Sequence, residues 1–202
     1  MERRFLAADT AHVEAREDAQ GRISGYAAVF YDGTPGTEFE LYAGARERIV
    51  PGAFAEALNR DDVRALFNHD ANEVLGRNKA GTLRLFEDNR GLRYEIEPGE
   101  TTTYQNVREY IRRGDVTGSS FAFIVKDESY RKENGVRIRE IRGVELYDVG
   151  PVTYPAYAAS STGLRSVSGI EEARAAFDAL DAKEDAERRR RVAIGARARL
   201  VD

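Results

Sequence analysis

Residues Arg112 to Val125 read RRGDVTGSSFAFIV. Two glycines, Gly114 and Gly118, punctuate a polar approach, and an apolar, strand-like run follows them. Alternation along a strand sorts this run into two faces: Ser119 goes with Phe121, Phe123 and Val125, and Ser120 with Ala122 and Ile124. The aromatic face suits a core, so Ser119 is expected to point inward. Ser120 is expected to face the other way, toward a helix or a cleft. Small polar residues often open a strand after a turn glycine, and that bland reading applies to both serines. A nucleophilic hydroxyl has to be accessible and near a base, which favours Ser120 over Ser119.

Downstream, RKENGVRIREI carries Asn134-Gly135, a strong hairpin turn. VELYDVGPVTYPA supplies a last strand, in which Pro151 and Pro155 argue against an ordinary central position. Upstream, TTTYQNVREYIRRGD reads as a helix capped by Thr102 or Thr103. It carries an apolar stripe of Val107, Tyr110 and Ile111 and ends at Gly114. GTLRLFEDNRGLRYEIEP alternates on both sides of a turn and predicts a hairpin. RISGYAAVFYDG and TEFELYAGARERIV predict further strands, PGAFAEALNR a short helix started by Pro51, and VRALFNHD another short strand. Many short strands with two helices predict an α+β or barrel-like fold.

The two ends read differently. The first twenty or so residues are polar and charged, and predict a loosely held arm. The body ends near Arg165, and SVSG then reads as a break. The remainder is poor in bulky apolar residues and helical by propensity, acidic in its first half and basic from Arg188. The expected organisation is a body over 1–165, with 1–20 as a flexible arm, and a charged helical or disordered tail over 166–202.

Composition narrows the chemistry. The chain has 202 residues, 42% of them hydrophobic and 33% charged, and a net charge of −4. A core can form, and no strong pull toward nucleic acid is expected. No apolar run approaches a membrane span, and the N-terminus has no secretory h-region. The absence of cysteine excludes disulfides, thiolate metal sites and cysteine nucleophiles. With only His12 and His69, a histidine-rich zinc site is not expected, and no phosphate-cradling glycine motif occurs. No metal or cofactor is expected.

A general base that works near neutral pH is most often histidine. His12 falls in the polar arm, which leaves His69 in LFNHD as the default. On sequence physics alone, a structural histidine at a strand end is the more frequent case. The group that would orient it could be Asp70, Glu145 or Asp148. Asp70 adjoins His69 and would point to the opposite face of a strand, so it is the poorest of the three. Alternation puts Glu145 and Asp148 on opposite faces of the last strand, and does not choose between them.

Taken in order, GYAAVF, IVPGAFAEAL, LFNHD with LGR and GTLRL, RGDVTGSSFAF and LYDVGPVTYPAY resemble the HK97-type prohead (capsid maturation) protease family of tailed phages. The resemblance covers about Ile23 to Ala159. That family is similar in fold to the herpesvirus assemblin proteases, so it implies a closed, mostly antiparallel β-barrel with surrounding helices. It implies a serine endopeptidase with His69 as base, Ser120 as nucleophile and Asp148 as the acidic partner. Asp148 stands where Glu is more typical, and Gly150 where Ser is typical. The implied substrates are capsid or scaffold protein and the protease itself, acted on inside the procapsid in the host cytoplasm. The charged tail after Gly163 would be a scaffold-interacting or self-processed segment. Assemblin relatives work as dimers, so the resemblance raises a homodimer, but neither nucleic acid nor a membrane as partner. The competing reading is an inactive assembly or scaffolding protein that keeps the fold; retention of both His69 and Ser120 argues against it.

Overall fold

The computed structural model describes residues 1–6, 13–15, 21–154 and 167–198. Among these, the chain runs β1 (Glu2–Leu6), β2 (Glu14–Ala15), β3 (Ile23–Val29), β4 (Glu38–Tyr42), β5 (Ala45–Ile49), α1 (Ala55–Arg60), β6 (Arg64–Leu66) and β7 (Val74–Arg77). It continues with β8 (Leu83–Glu87), β9 (Gly91–Ile96), α2 (Thr102–Arg113), β10 (Gly118–Glu133), β11 (Val136–Val152) and α3 (Val167–Ala198).

The long β10–β11 hairpin organises the molecule. It closes at Asn134 and Gly135, both at positive φ (52° and 81°), as the tight turn between them demands. Its ladder slips once near the open end: Ala122 pairs with Asp148, but Phe123 pairs with Leu146, leaving Tyr147 as the extra residue of a bulge. Leu146 therefore joins Phe123 in the core, while Asp148 comes out on the face of Ala122 and Ser120. The same slip pairs Glu145 with Ile124, so Glu145 and Asp148 share a face, contrary to simple alternation.

The ladders form two sheets. A seven-stranded sheet runs β1-β10-β11-β5-β4, with β6 and β7 attached through β11; a four-stranded sheet runs β2-β3-β9-β8. The architecture is α+β and mostly antiparallel, but β11 pairs parallel with both β5 and β6. The described ladders do not join into the closed barrel that the resemblance implied. β11 is also a central strand, despite Pro151. The proline lies past Val149, the last residue paired with β6, so its missing N–H breaks no bond on that side. Pro155 falls outside the described residues.

The core lies between the sheets. Phe121 and Phe123 stack at 4.7 Å, and Phe54 meets Phe121 edge-on at 5.7 Å. Ile23, Leu92, Tyr94 and Ile96 of the second sheet close over them, and α2 adds Tyr104, Val107 and Ile111. The cap of α2 is Thr101, one residue ahead of the expected pair, accepting from the Tyr104 N–H at 3.2 Å. Tyr110, expected in the apolar stripe, turns outward toward Phe67.

The described parts of both ends pack on the body. Glu2–Leu6 is an edge strand on β10 rather than a loose arm; residues 7–12 and 16–20 fall outside the described residues. α3 begins inside SVSG and docks on the body. Ala173 and Phe177 bury against Leu41 and Ala45, and Tyr130 meets the Phe177 ring edge-on. Asp181 binds Lys132 at 2.6 Å and Arg137 at 2.7 Å, which hold its carboxyl below the usual carboxylate range. From Lys183 to Arg191 the helix is exposed.

Candidate active site

β6 ends at Leu66, so His69 does not lie on a strand. It sits in a tight turn closed by Asp70 N–H to Phe67 C=O and Glu73 N–H to Asp70 C=O, at 3.0 and 2.9 Å. Asn68 and His69 are both left-handed, with φ of 56° and 59°. Such conformations cost on the order of 1–3 kcal/mol each for residues other than glycine, and they persist only where the surroundings enforce them. Asn68 supplies the enforcement. Its amide donates to Thr153 Oγ1 at 3.0 Å, its carbonyl accepts from Thr153 N–H at 2.8 Å, and its own N–H donates to the Pro151 carbonyl at 3.1 Å.

The imidazole aimed by this turn bridges two groups on the hairpin. Nδ1 is in a short hydrogen bond with Asp148 Oδ1, and Nε2 lies 2.5 Å from Ser120 Oγ. The side chains of His69 and Asp148 are 3% and 9% exposed. An ionised carboxylate only accepts, so Nδ1 carries the hydrogen and Nε2 presents a lone pair to the serine. Glu145 is not part of this group: its carboxylate binds Lys126 at 2.6 Å and accepts from the Tyr147 hydroxyl at 2.7 Å. Asp70 accepts from the Asn72 N–H at 2.9 Å and shapes the turn. His12 lies outside the described residues.

The two serines diverge as alternation predicts, yet both are fully buried. Ser119 faces the core and bonds the Tyr94 hydroxyl at 2.8 Å; burial raises that phenol far above its ordinary pKa and keeps it neutral. Ser120, expected to be accessible, is covered. Its Oγ also lies 2.8 Å from the Arg4 carbonyl of β1, which competes with His69 Nε2 for the one hydroxyl proton.

Two supporting residues carry no sequence signal. Asp61, at the end of α1, accepts from the Leu146 N–H at 2.7 Å, a donor at the bulge, and so fixes the slip that turns Asp148 toward the site. Gly150 is required by close approach, because a Cβ there would sit 2.1 Å from the Leu66 carbonyl oxygen. The missing side chain thus lets the end of β6, which leads into the histidine turn, lie against β11. Tyr154, next to the clasped Thr153, is 80% exposed.

Among the described residues no group of three or more histidines, aspartates or glutamates could hold a metal ion, and no helix is long and apolar enough to cross a membrane. The arrangement can move a proton from a serine hydroxyl to an imidazole held by a carboxylate, as acyl transfer needs. Comparison with curated proteins and with solved structures finds no match. A family model described as caudovirus prohead serine protease matches residues 9–174, a stretch that contains the histidine turn and the whole β10–β11 hairpin. A match over that much of its 202 residues means that the chain belongs to the caudovirus prohead serine protease family.

Proposed function

We propose that the protein is a serine endopeptidase that cleaves capsid or scaffold protein during prohead maturation, and cleaves itself. The observation that carries this reading is the His69 ring, held between the Asp148 carboxylate and the Ser120 hydroxyl. Ser120 Oγ attacks the scissile carbonyl carbon as His69 Nε2 takes its proton. The imidazolium is stabilised by Asp148 through Nδ1–H. The tetrahedral intermediate collapses, the C–N bond breaks, and Nε2–H protonates the leaving amine. Water, deprotonated by the same nitrogen, then hydrolyses the acyl-serine and regenerates the hydroxyl.

Family membership supports a capsid-type substrate and a procapsid setting. The test is co-expression of capsid protein with the intact chain, with Ser120→Ala and with His69→Ala, read by intact mass. Cleavage should be lost in both variants, with turnover down about 10⁴-fold or more. Cleavage that persists unchanged in His69→Ala overturns the reading. Loss of tail mass in the active form alone supports self-processing.

A further inference from the structure

The nucleophile's neighbourhood holds something that catalysis does not need. β1 pairs antiparallel with β10, setting Leu6 opposite Ser119, Phe5 opposite Ser120 and Arg4 opposite Phe121. The Arg4 carbonyl takes the Ser120 hydroxyl at 2.8 Å, and Ser120 has no exposed surface. A substrate carbonyl carbon must come within roughly 3–3.5 Å of the attacking oxygen. A peptide group of β1, that of Arg4, already stands within hydrogen-bond reach of that oxygen. A hydroxyl also has one proton, and while it is donated to Arg4 it is not donated to His69 Nε2.

We propose that β1 is a removable blocking strand, and that a peptide reaches Ser120 only after β1 leaves the edge of β10. The inference rests on the protease reading of the site. Three observations support it. β1 is the terminal strand of its sheet, so its departure breaks one ladder and leaves a free edge able to take an extended peptide. It lies ahead of residues 9–174, which the family model matches. Beyond its ladder it is fastened by charge: Arg4 binds Glu47 at 2.5 Å, and Glu2 reaches Arg139 at 3.2 Å. Buried ion pairs recover little beyond the cost of desolvating them. When Glu2 and Arg4 leave together, Arg139 keeps Glu47 at 2.8 Å and Glu128 at 2.6 Å, so no charge of the body is stranded.

The chain has no cysteine, so a single introduced thiol is a clean reporter. Ser120→Cys is compared in the intact chain, with Arg4→Ala added, and with residues 1–6 deleted, by its rate of modification with iodoacetamide. Ser119→Cys, which faces the core, is carried through the same three backgrounds. Ser120→Cys should react slowly in the intact chain and about tenfold or more faster once β1 is weakened or removed, with Ser119→Cys slow throughout. A fast Ser120→Cys in the intact chain, or a rate unmoved by either change, overturns the proposal. Equal acceleration of Ser119→Cys also overturns it, since β1 would then be holding the whole fold together. Thiol access does not depend on turnover. Peptide hydrolysis by the deleted chain with Ser120 intact tests the protease reading separately.

Discussion

The Asn68 side chain grips Thr153 twice, donating to its hydroxyl at 3.0 Å and accepting from its backbone N–H at 2.8 Å. This clasp ties the turn that carries His69 to the end of the strand that carries Asp148. Asn68→Ala removes both bonds and places a Cβ-bearing residue of poor left-handed tolerance at φ 56°. The expected result is a fall in kcat of about 10–100-fold with KM little changed, because a small misplacement of a catalytic group has that cost. Asn68→Gly relieves the backbone but not the clasp, and should recover stability more than rate. Steady-state kinetics beside a denaturation curve separates the two.

Asp148→Asn tests the orientation of the ring. The amide can donate to Nδ1, which favours the tautomer with hydrogen on Nε2 and removes the lone pair that Ser120 needs. Turnover should drop about 10³–10⁴-fold with the fold intact. Glu145→Gln, which alters only the contact with Lys126 and Tyr147, should leave turnover near that of the unaltered chain.

Ser119→Ala should leave chemistry nearly untouched and lower stability by about 1–3 kcal/mol, because the buried Tyr94 hydroxyl loses its partner. Adding Tyr94→Phe should return part of that loss, since both polar groups are then gone. Denaturant midpoints of the single and double variants measure it.

Gly150→Ser tests this close approach, because the Leu66 carbonyl stands 2.1 Å from where its Cβ must go. β6 would be pushed off β11, and His69 with it. The expectation is a loss of about 2 kcal/mol or more together with loss of turnover.

Acid should loosen the N-terminal fastening. Burial pushes the Glu2 carboxyl up, but Arg4 and Arg139 outweigh it and hold the group below its ordinary value of 4.5. Arg4, Arg139, Glu47 and Glu128 are the other charged groups in this cluster. A depressed carboxylate contributes stability above its unfolded pKa, and the contribution fades as pH falls through the folded value. The stability gap between the unaltered chain and Glu2→Gln should be on the order of 1 kcal/mol at pH 7 and should close as pH falls through the lowered folded value of Glu2. Urea midpoints across that range check the sign.

Local chemistry explains what could be read from sequence. Asn134-Gly135 announces its turn because few residues take positive φ twice in succession, and the caps of α2 follow from threonine and glycine chemistry. The face of Ser119 follows from aromatic alternation. Two features were not legible. The bulge at Tyr147 has no residue signature, and it reverses the side on which Glu145 falls. The seating of β1 depends on partners far along the chain: Glu47 and Arg139 lie 43 and 137 residues from the arginine and glutamate that they meet. A charged N-terminus reads as solvated until those partners are known.

The wide spacing of the proposed catalytic groups along the chain has a consequence for timing. Ser120 and Asp148 belong to one hairpin, which can zip from its turn with little loop closure. His69 is 51 residues from the serine and 79 from the aspartate, and arrives only when β6 pairs in parallel with β11. Contacts of that separation form late, because closing long loops costs entropy before it is repaid. A nascent or half-folded copy therefore has a hydroxyl but no base. On the proposed mechanism, hydrolytic competence would come only with completion of the fold.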